Sequence, residues 1–429
     1  MQDLTNAVIS KDLLQDIIDN RKYNETIIKY YVMYVQELQG DLKLFKDLAY
    51  LFVSLQYALN DKTDAFKPMI LKNSIIPICR RLHFELENKD LYDYQDVKYL
   101  KKKLKDVIEN LECGLIKTLN NKIDNLDNCN KFWDIDKFVI HKQKWVNKQN
   151  LCKDKFCSNC KKVKQASRMS KYIPVLEQYQ DSLFHLVLTL PSCKGEDLFI
   201  IYDKMAKTFK RLIGFLNGHK KIKGIDFSSW GYQGAVRSLE VTFKKDSYHP
   251  HFHVGLVLDP NVIGKKNIKN IYSFSYNELK RMFSEQEILI QKIWYLLLNK
   301  IKVTKVAIEE LEQGYSCTMD KFPQEDYAEL FKYMTKDKDE VGNILSYDNF
   351  KALYQGLYRV KQIQGYGVLY RIVDSVDLEK YEEAYQNYIE ELIKKESPVA
   401  VREKPQELIL DAQYKILNKK SYIKYLMQL

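Results

Sequence analysis

The sequence predicts an α+β fold, with an antiparallel sheet flanked by helices behind an all-helical N-terminal region and a small cysteine-rich module. Three observations carry that expectation. Between residues 183 and 312 the patterns run strand, helix, hairpin, helix, strand. The stretch SLEVTFKKDSYHPHFHVGLVL, Ser238 to Leu258, holds two alternating runs separated by a polar turn, the mark of a hairpin with one face buried. Ahead of residue 127, apolar residues instead recur at spacings of three and four with almost no glycine, which is the helical period. The resulting division is a helical accessory domain over 1–126, a cysteine-rich basic module over 127–175, a sheet domain over 176–375 and a helical tail over 376–429.

Taken in order, Ile27, Ile28, Tyr31, Val32 and Val35 and then Leu100, Leu104, Val107, Ile108 and Leu111 mark the apolar stripes of N-terminal helices. Around Cys129 to Lys164 the chain turns aromatic and lysine-rich. The run FHLVLTLP ending at Pro191 reads as a buried strand, and Glu196 to Leu216 as a helix. In the hairpin, Lys244 to Tyr248 is expected to form the turn, with Pro250 near an edge because proline gives no hydrogen bond to a ladder. Beyond it, Asp259 to Ser273 reads as a connector, Asn277 to Asn299 as a helix, Lys302 to Glu312 as a strand and Tyr327 to Lys336 as a helix. Gly365 and Gly367 read as a turn before a last strand.

Composition narrows the partner. The 429 residues carry a net charge of +11, and 45% are hydrophobic and 13% aromatic, so the chain is globular and favours an anionic partner, nucleic acid above all. No secretory leader opens the sequence, and the most apolar stretch, Leu42 to Leu59, carries Lys43, Lys46 and Asp47 and is too charged to span a bilayer. A cytoplasmic protein without a membrane partner is expected. In a reducing compartment its eight cysteines are thiols or metal ligands, not disulfides.

Three of the seven histidines fall within five residues, at alternate positions of one strand. Side chains on a strand repeat every second residue, so His249, His251 and His253 project from one face while Phe252, Val254 and Leu256 pack on the other. His251 and His253 are the stronger ligand pair, His249 is a helper, and Glu240 on the partner strand adds a carboxylate oxygen to the same site. In CKDKFCSNCKK, Cys152, Cys157 and Cys160 converge on a knuckle-like turn, and a tetrahedral zinc ion would take His141 or Cys129 as its fourth ligand. Lys161, Lys162, Lys164 and Arg168 follow as a positive run able to track DNA phosphates. On a helix, Glu329, Tyr333 and Lys336 share one face. No Walker A loop and no internal repeat occur, so the chain is not expected to be its own helicase.

In this order, FHLVLTLP, the histidine hairpin and ELFKYMTK resemble the three motifs of plasmid rolling-circle replication initiator (Rep) proteins, within the HUH endonuclease superfamily. The cysteine run resembles the cluster that precedes the first motif. The likeness covers about residues 129–372. Gly255 departs from it, standing where the family's histidine strand usually carries a bulky apolar residue, and LTLPS replaces the commoner first motif.

That resemblance implies an HUH-type sheet and a site-specific single-strand endonuclease and strand transferase. His251, His253 and Glu240 would hold magnesium or manganese. Tyr333 would be the nucleophile that forms a 5′-phosphotyrosine, Lys336 would stabilise developing charge, and Glu329 would activate water in the terminating cleavage. The partners it implies are single-stranded or extruded origin DNA, a host helicase and a host polymerase. A relaxase- or transposase-like nuclease of a mobile element shares the chemistry, and a non-catalytic zinc-containing DNA-binding protein is the alternative of a different class.

Overall fold

The computed structural model describes residues 7–9, 11–60, 75, 78–79, 82, 94–129, 151–274, 277–331, 345–370, 372 and 408–410. The chain divides into two compact units, Met1–Cys160 with Lys404–Leu429, and Lys161–Glu403.

The first unit is built on a long helix, Lys11–Asn60, and a second path of helix, Tyr94–Glu109, that continues through a π-helical turn, Asn110–Ile116, into Lys117–Asn128. The stripes expected from the sequence are inside: Ile27, Tyr31, Val35, Leu100 and Leu104 are buried, and Leu48, Phe52, Leu55, Ile75, Cys79 and Val97 complete one core cluster with Leu100 and Leu104. Val32, expected on the first stripe, is instead 38% exposed, and Ile28, Val107, Ile108 and Leu111 are only half-buried. Strand β1, Ala7–Ile9, pairs antiparallel with a strand at Leu408–Leu410, where a helical tail was expected.

The second unit is the α+β part. Its strands are β2 (Leu183–Leu188), β3 (Cys193–Lys194), β4 (Gly234–Lys244), β5 (Ser247–Val257), β6 (Ile268–Phe274), β7 (Asn277–Phe283), β8 (Cys317–Lys321) and β9 (Ile363–Gly367). The main sheet is antiparallel in the order β8-β2-β5-β4-β9, with β3 pairing to the end of β5. β6 and β7 form a separate hairpin.

The β4–β5 hairpin is tighter than the sequence suggests. Lys244 pairs with Ser247, so the turn is only Lys245-Asp246, and Lys245 takes a left-handed backbone at φ 54°. Phe243 and Tyr248 are both buried on the face away from the histidines, with ring centroids 6.3 Å apart, and hold the strands together to the tip. β5 is central, but Pro250 lies in a gap: β2 ends opposite Phe252 and β3 begins opposite Tyr248. Pairing of Val241 with Pro250 continues on the β4 side. The missing N–H therefore costs no ladder bond.

Helix Leu198–Leu216 covers the face opposite the histidines, where Tyr202 and Phe209 meet Phe252 edge-on at 6.5 and 5.9 Å. On the histidine face, Tyr172 and Leu176 of helix Ser158–Leu176 pack with Leu183, Val236, Val257, Leu330, Phe331 and Ile363.

Four further local expectations are corrected. The expected connector, Asp259 to Ser273, holds most of strand β6, which starts at Ile268 and is specified by its pairing with β7. Residues 277–283 are strand β7, and the helix starts only at Glu285, where Ser284 and Glu287 close a capping box. Within Lys302–Glu312, expected as a strand, Lys305–Glu310 is a short helix capped by Thr304, whose hydroxyl accepts from the N–H of Ala307. Gly365 and Gly367 lie inside β9 and not before it; a Cβ at Gly365 would stand 2.1 Å from the carbonyl oxygen of Leu369, so the close return of the chain demands glycine.

Candidate metal centres

Register sets the first site. In β4–β5, Glu240 pairs with His251 and Ser238 with His253, and residues opposite one another in an antiparallel ladder project to the same side. Nε2 of His251 and Nε2 of His253 each lie 3.0 Å from Oε2 of Glu240. Ligand atoms of these three residues gather within 4.8 Å of one another. Glu240 is buried, and each of the two histidine side chains is 12% exposed. Two imidazoles and a carboxylate on one face leave coordination positions open for a substrate oxygen and water, a set that suits a divalent cation such as magnesium, manganese or zinc. His249 stands outside this group. Its ring is tilted against that of His251 at 5.5 Å, and its carbonyl oxygen lies 3.3 Å from Nδ1 of His251.

A residue of the first strand that the sequence pattern does not single out joins the site. Nε2 of His185 lies 3.1 Å from Nδ1 of His253. The ring of His185 is stacked on Phe322 at 4.5 Å and meets His253 edge to edge, the two imidazoles within 17° of coplanar with centroids 5.2 Å apart. A lone polar residue within the apolar run FHLVLTLP was the available signal.

The third motif comes down on the same face. Its described part is a 3-10 helix, Gln324–Phe331, beginning ahead of the expected Tyr327. Tyr327, Leu330 and Phe331 are buried against the sheet, and Glu329 is half-buried. Gly255 makes room for this segment: a Cβ there would lie 3.3 Å from Cδ1 of Leu330 and 3.3 Å from Cγ1 of Val236. Tyr333 and Lys336 lie outside the described residues.

The expected basic run is corrected in part. Lys161 and Arg168 are buried, at 6% and 4% exposure, and Nη1 of Arg168 donates to Oε1 of Gln362 on the way into β9. That guanidinium is thus engaged inside the fold and is not on the surface where a phosphate-tracking run was expected. Lys164 is half-exposed, and the side chain of Lys162 lies outside the described residues.

The second centre is the cysteine cluster. Sγ of Cys129 lies 3.5 Å from Sγ of Cys157 and 3.6 Å from Sγ of Cys160, and Cys152 is 3.6 Å from Cys160. All four are free thiols. A tetrahedral zinc ion with Zn–S bonds of about 2.3 Å separates its sulfurs by roughly 3.8 Å, so the four donors fit that ion. Cys129 completes a group of four thiols with Cys152, Cys157 and Cys160, and His141 lies outside the described residues. Hydrogen bonding from Cys152, Cys157 and Cys160 holds the Cys129 thiol far below its usual range, while the same contacts push Cys152 and Cys160 up.

Backbone N–H groups of Lys153 and Asp154 point at Sγ of Cys160 and Cys152, at 3.2 and 3.5 Å, with Lys153 left-handed at φ 56° to make the turn. Asn24 on the long helix donates to Cys157 at 3.4 Å and accepts from the N–H of Ser158 at 3.1 Å, and Tyr31 donates to Asp154 at 2.9 Å. The cluster thereby fixes the knuckle against the N-terminal helices.

A family model described as "Replication protein" (Rep_1) matches residues 143–415, well over half of the chain. The chain belongs to this replication-protein family. The match encloses Cys152, Cys157, Cys160, the histidine hairpin and the third motif, so the Rep resemblance carried by those residues holds. Curated relatives agree. A "Protein rep" of Staphylococcus aureus is 28% identical over 52% of this chain and 86% of its own length. Two others, from Bacillus amyloliquefaciens and a Bacillus species, are 27% and 28% identical over 51% and 48% of this chain, and the match spans only 62% and 63% of their lengths. No solved structure matches the chain. No helix among the described residues of this Rep-family chain is long and apolar enough to cross a membrane.

Proposed function

We propose that this Rep-family chain is a metal-dependent endonuclease and strand transferase that nicks single-stranded or extruded origin DNA and begins rolling-circle plasmid replication. The observation that carries the reading is the meeting of Glu240, His251 and His253 on the sheet face against which the segment ending at Phe331 packs, two residues ahead of Tyr333. A divalent cation bound there, magnesium or manganese, supplies Lewis-acid neutralisation of the scissile phosphate.

The chain's own groups do the rest. The Tyr333 oxygen attacks phosphorus, a new P–O bond to tyrosine forms, and the bond to the 3′ oxygen breaks. The tyrosine proton is lost and the departing oxygen gains one, leaving a 5′-phosphotyrosine and a free 3′-OH that primes a host polymerase. A phenol with a reference pKa of about 10 needs its developing charge stabilised, which is the role of Lys336. Glu329 takes the proton of water in the terminating cleavage. Tyr327 does not compete as the nucleophile, since it is fully buried and burial pushes its phenol up.

The cysteine cluster takes zinc, in a structural role. A host helicase opens the duplex, because the sequence carries no Walker A loop of its own. Labelled single-stranded origin DNA incubated with the protein and manganese tests the reading: nicking by the wild type and none by Tyr333→Phe or Glu240→Ala is expected. Nicking retained by Tyr333→Phe would overturn it, and nicking at a transfer origin instead would favour a relaxase-like enzyme.

A further inference from the structure

Each ligand histidine of the candidate centre presents Nε2 to Glu240, and each has its Nδ1 engaged, but by different means. For His251 the partner is the backbone carbonyl of His249, at 3.3 Å, which no substitution at that residue removes. For His253 it is a side chain from another strand, Nε2 of His185 at 3.1 Å. A neutral imidazole carries one N–H. Whichever nitrogen holds it cannot bind a cation, so the partner of Nδ1 decides whether Nε2 is available.

We propose that His185 is the positioning residue of this centre: its Nε2 accepts from Nδ1–H of His253, which commits the Nε2 lone pair of His253 to the cation. His185 is built for that task. The Phe322 ring stacks on its face, nearly parallel at 13° and 4.5 Å, while His253 meets it edge to edge with the two imidazoles within 17° of coplanar, as an in-plane N–H···N bond requires. Phe322 is itself buried, at 2% exposure, so its ring holds the plane of His185 in line with His253. β2 pairs with β5 along this stretch, with Val187 opposite His253 and His185 opposite Gly255, which brings His185 to the same face as His253, one pair along the ladder. The inference rests on the metal reading of Glu240, His251 and His253, and it assigns to the first motif a part in the metal chemistry.

The test is manganese binding by the full-length chain, followed by electron paramagnetic resonance of the free ion, in four proteins: wild type, Glu240→Ala, His185→Phe and His185→Gln. Phenylalanine keeps a flat ring against Phe322 but cannot accept a hydrogen bond, whereas the glutamine amide oxygen can. Loss of such a supporting partner weakens metal binding by about 10–100-fold. His185→Phe should show that weakening with its thermal melting retained, and His185→Gln should recover most of the affinity. Wild-type affinity in His185→Phe, or no recovery in His185→Gln, overturns the role of His185 alone, provided Glu240→Ala has lost binding. Equal binding by wild type and Glu240→Ala overturns the metal site itself, and the proposal with it.

Discussion

Gly255 and Leu330 are in van der Waals register across the sheet face: a Cβ on the first would stand 3.3 Å from Cδ1 of the second. The residue that departs from the family's usual histidine strand is therefore the one that lets the third motif settle beside the histidines. A Gly255→Val chain must push that segment outward. Overpacking of this kind costs about 1–3 kcal/mol. Urea unfolding should show a lower midpoint, and nicking should fall more than DNA binding does; an unchanged midpoint would mean that the segment yields to the larger side chain without cost.

Glu240→Gln keeps the shape of the side chain and removes its charge. A neutral amide is a poor ligand for a hard cation, so manganese-dependent nicking should drop by at least about 100-fold, roughly the loss of 2.7 kcal/mol of transition-state stabilisation. Binding of single-stranded DNA in the absence of metal should persist. Nicking rates and fluorescence anisotropy on the same preparations separate the two.

Zinc in the cysteine cluster makes a prediction about both mass and reactivity. Native mass spectrometry should find one zinc per wild-type chain, none in Cys129→Ser, and an unchanged complement in His141→Ala. With a thiol reagent near pH 8, exposed Cys113 should react at once, and Cys129, Cys152, Cys157 and Cys160 only after chelation. Retention of zinc by Cys129→Ser together with its loss from His141→Ala would reverse the assignment.

Cys79, in the core of the helical unit, gives a pH dependence. Burial pushes its thiol up from 9.0 to about 11. The folded state thus holds the proton more tightly than the unfolded one, and stability from this group is fully present below pH 9 and lost as pH rises through 11. Urea melts over that window should show wild type losing stability relative to Cys79→Val as pH rises; parallel curves would show that the thiol is not so held.

How far the sequence could be read depended on what sets each element. The histidine hairpin was legible because period-two alternation puts the three histidines and Glu240 on one face, but the register that sets Glu240 opposite His251 comes from the two-residue turn, which the polar run Lys244 to Tyr248 makes look longer. The buried stripes of Ile27, Tyr31 and Val35 were legible for the parallel reason in helices. His185 was not, since a strand buried on both faces shows no alternation, and a histidine within it looks like a core residue until its neighbour across the ladder is known.

Other elements were misread although a signal was present. The Ser284-x-x-Glu287 spacing marks a helix start that hydrophobic periodicity alone puts too early, and Glu287, wholly buried, accepts from the N–H groups of Ser284 and Met319 and from Lys266. β8 is five residues long and is specified by that tertiary contact more than by its own pattern. Glycines in β9 look like turn residues and are instead demanded by the backbone that returns over them.

The most direct test of the central claim is the chemistry of Tyr333 itself. The wild-type protein should be incubated with end-labelled single-stranded origin DNA and manganese, run on a denaturing gel and digested for peptide mapping. The account predicts a protein–DNA adduct that survives denaturation, carries the DNA through its 5′ phosphate and maps to Tyr333. Cleavage that leaves no adduct, or an adduct mapped to another residue, would contradict it.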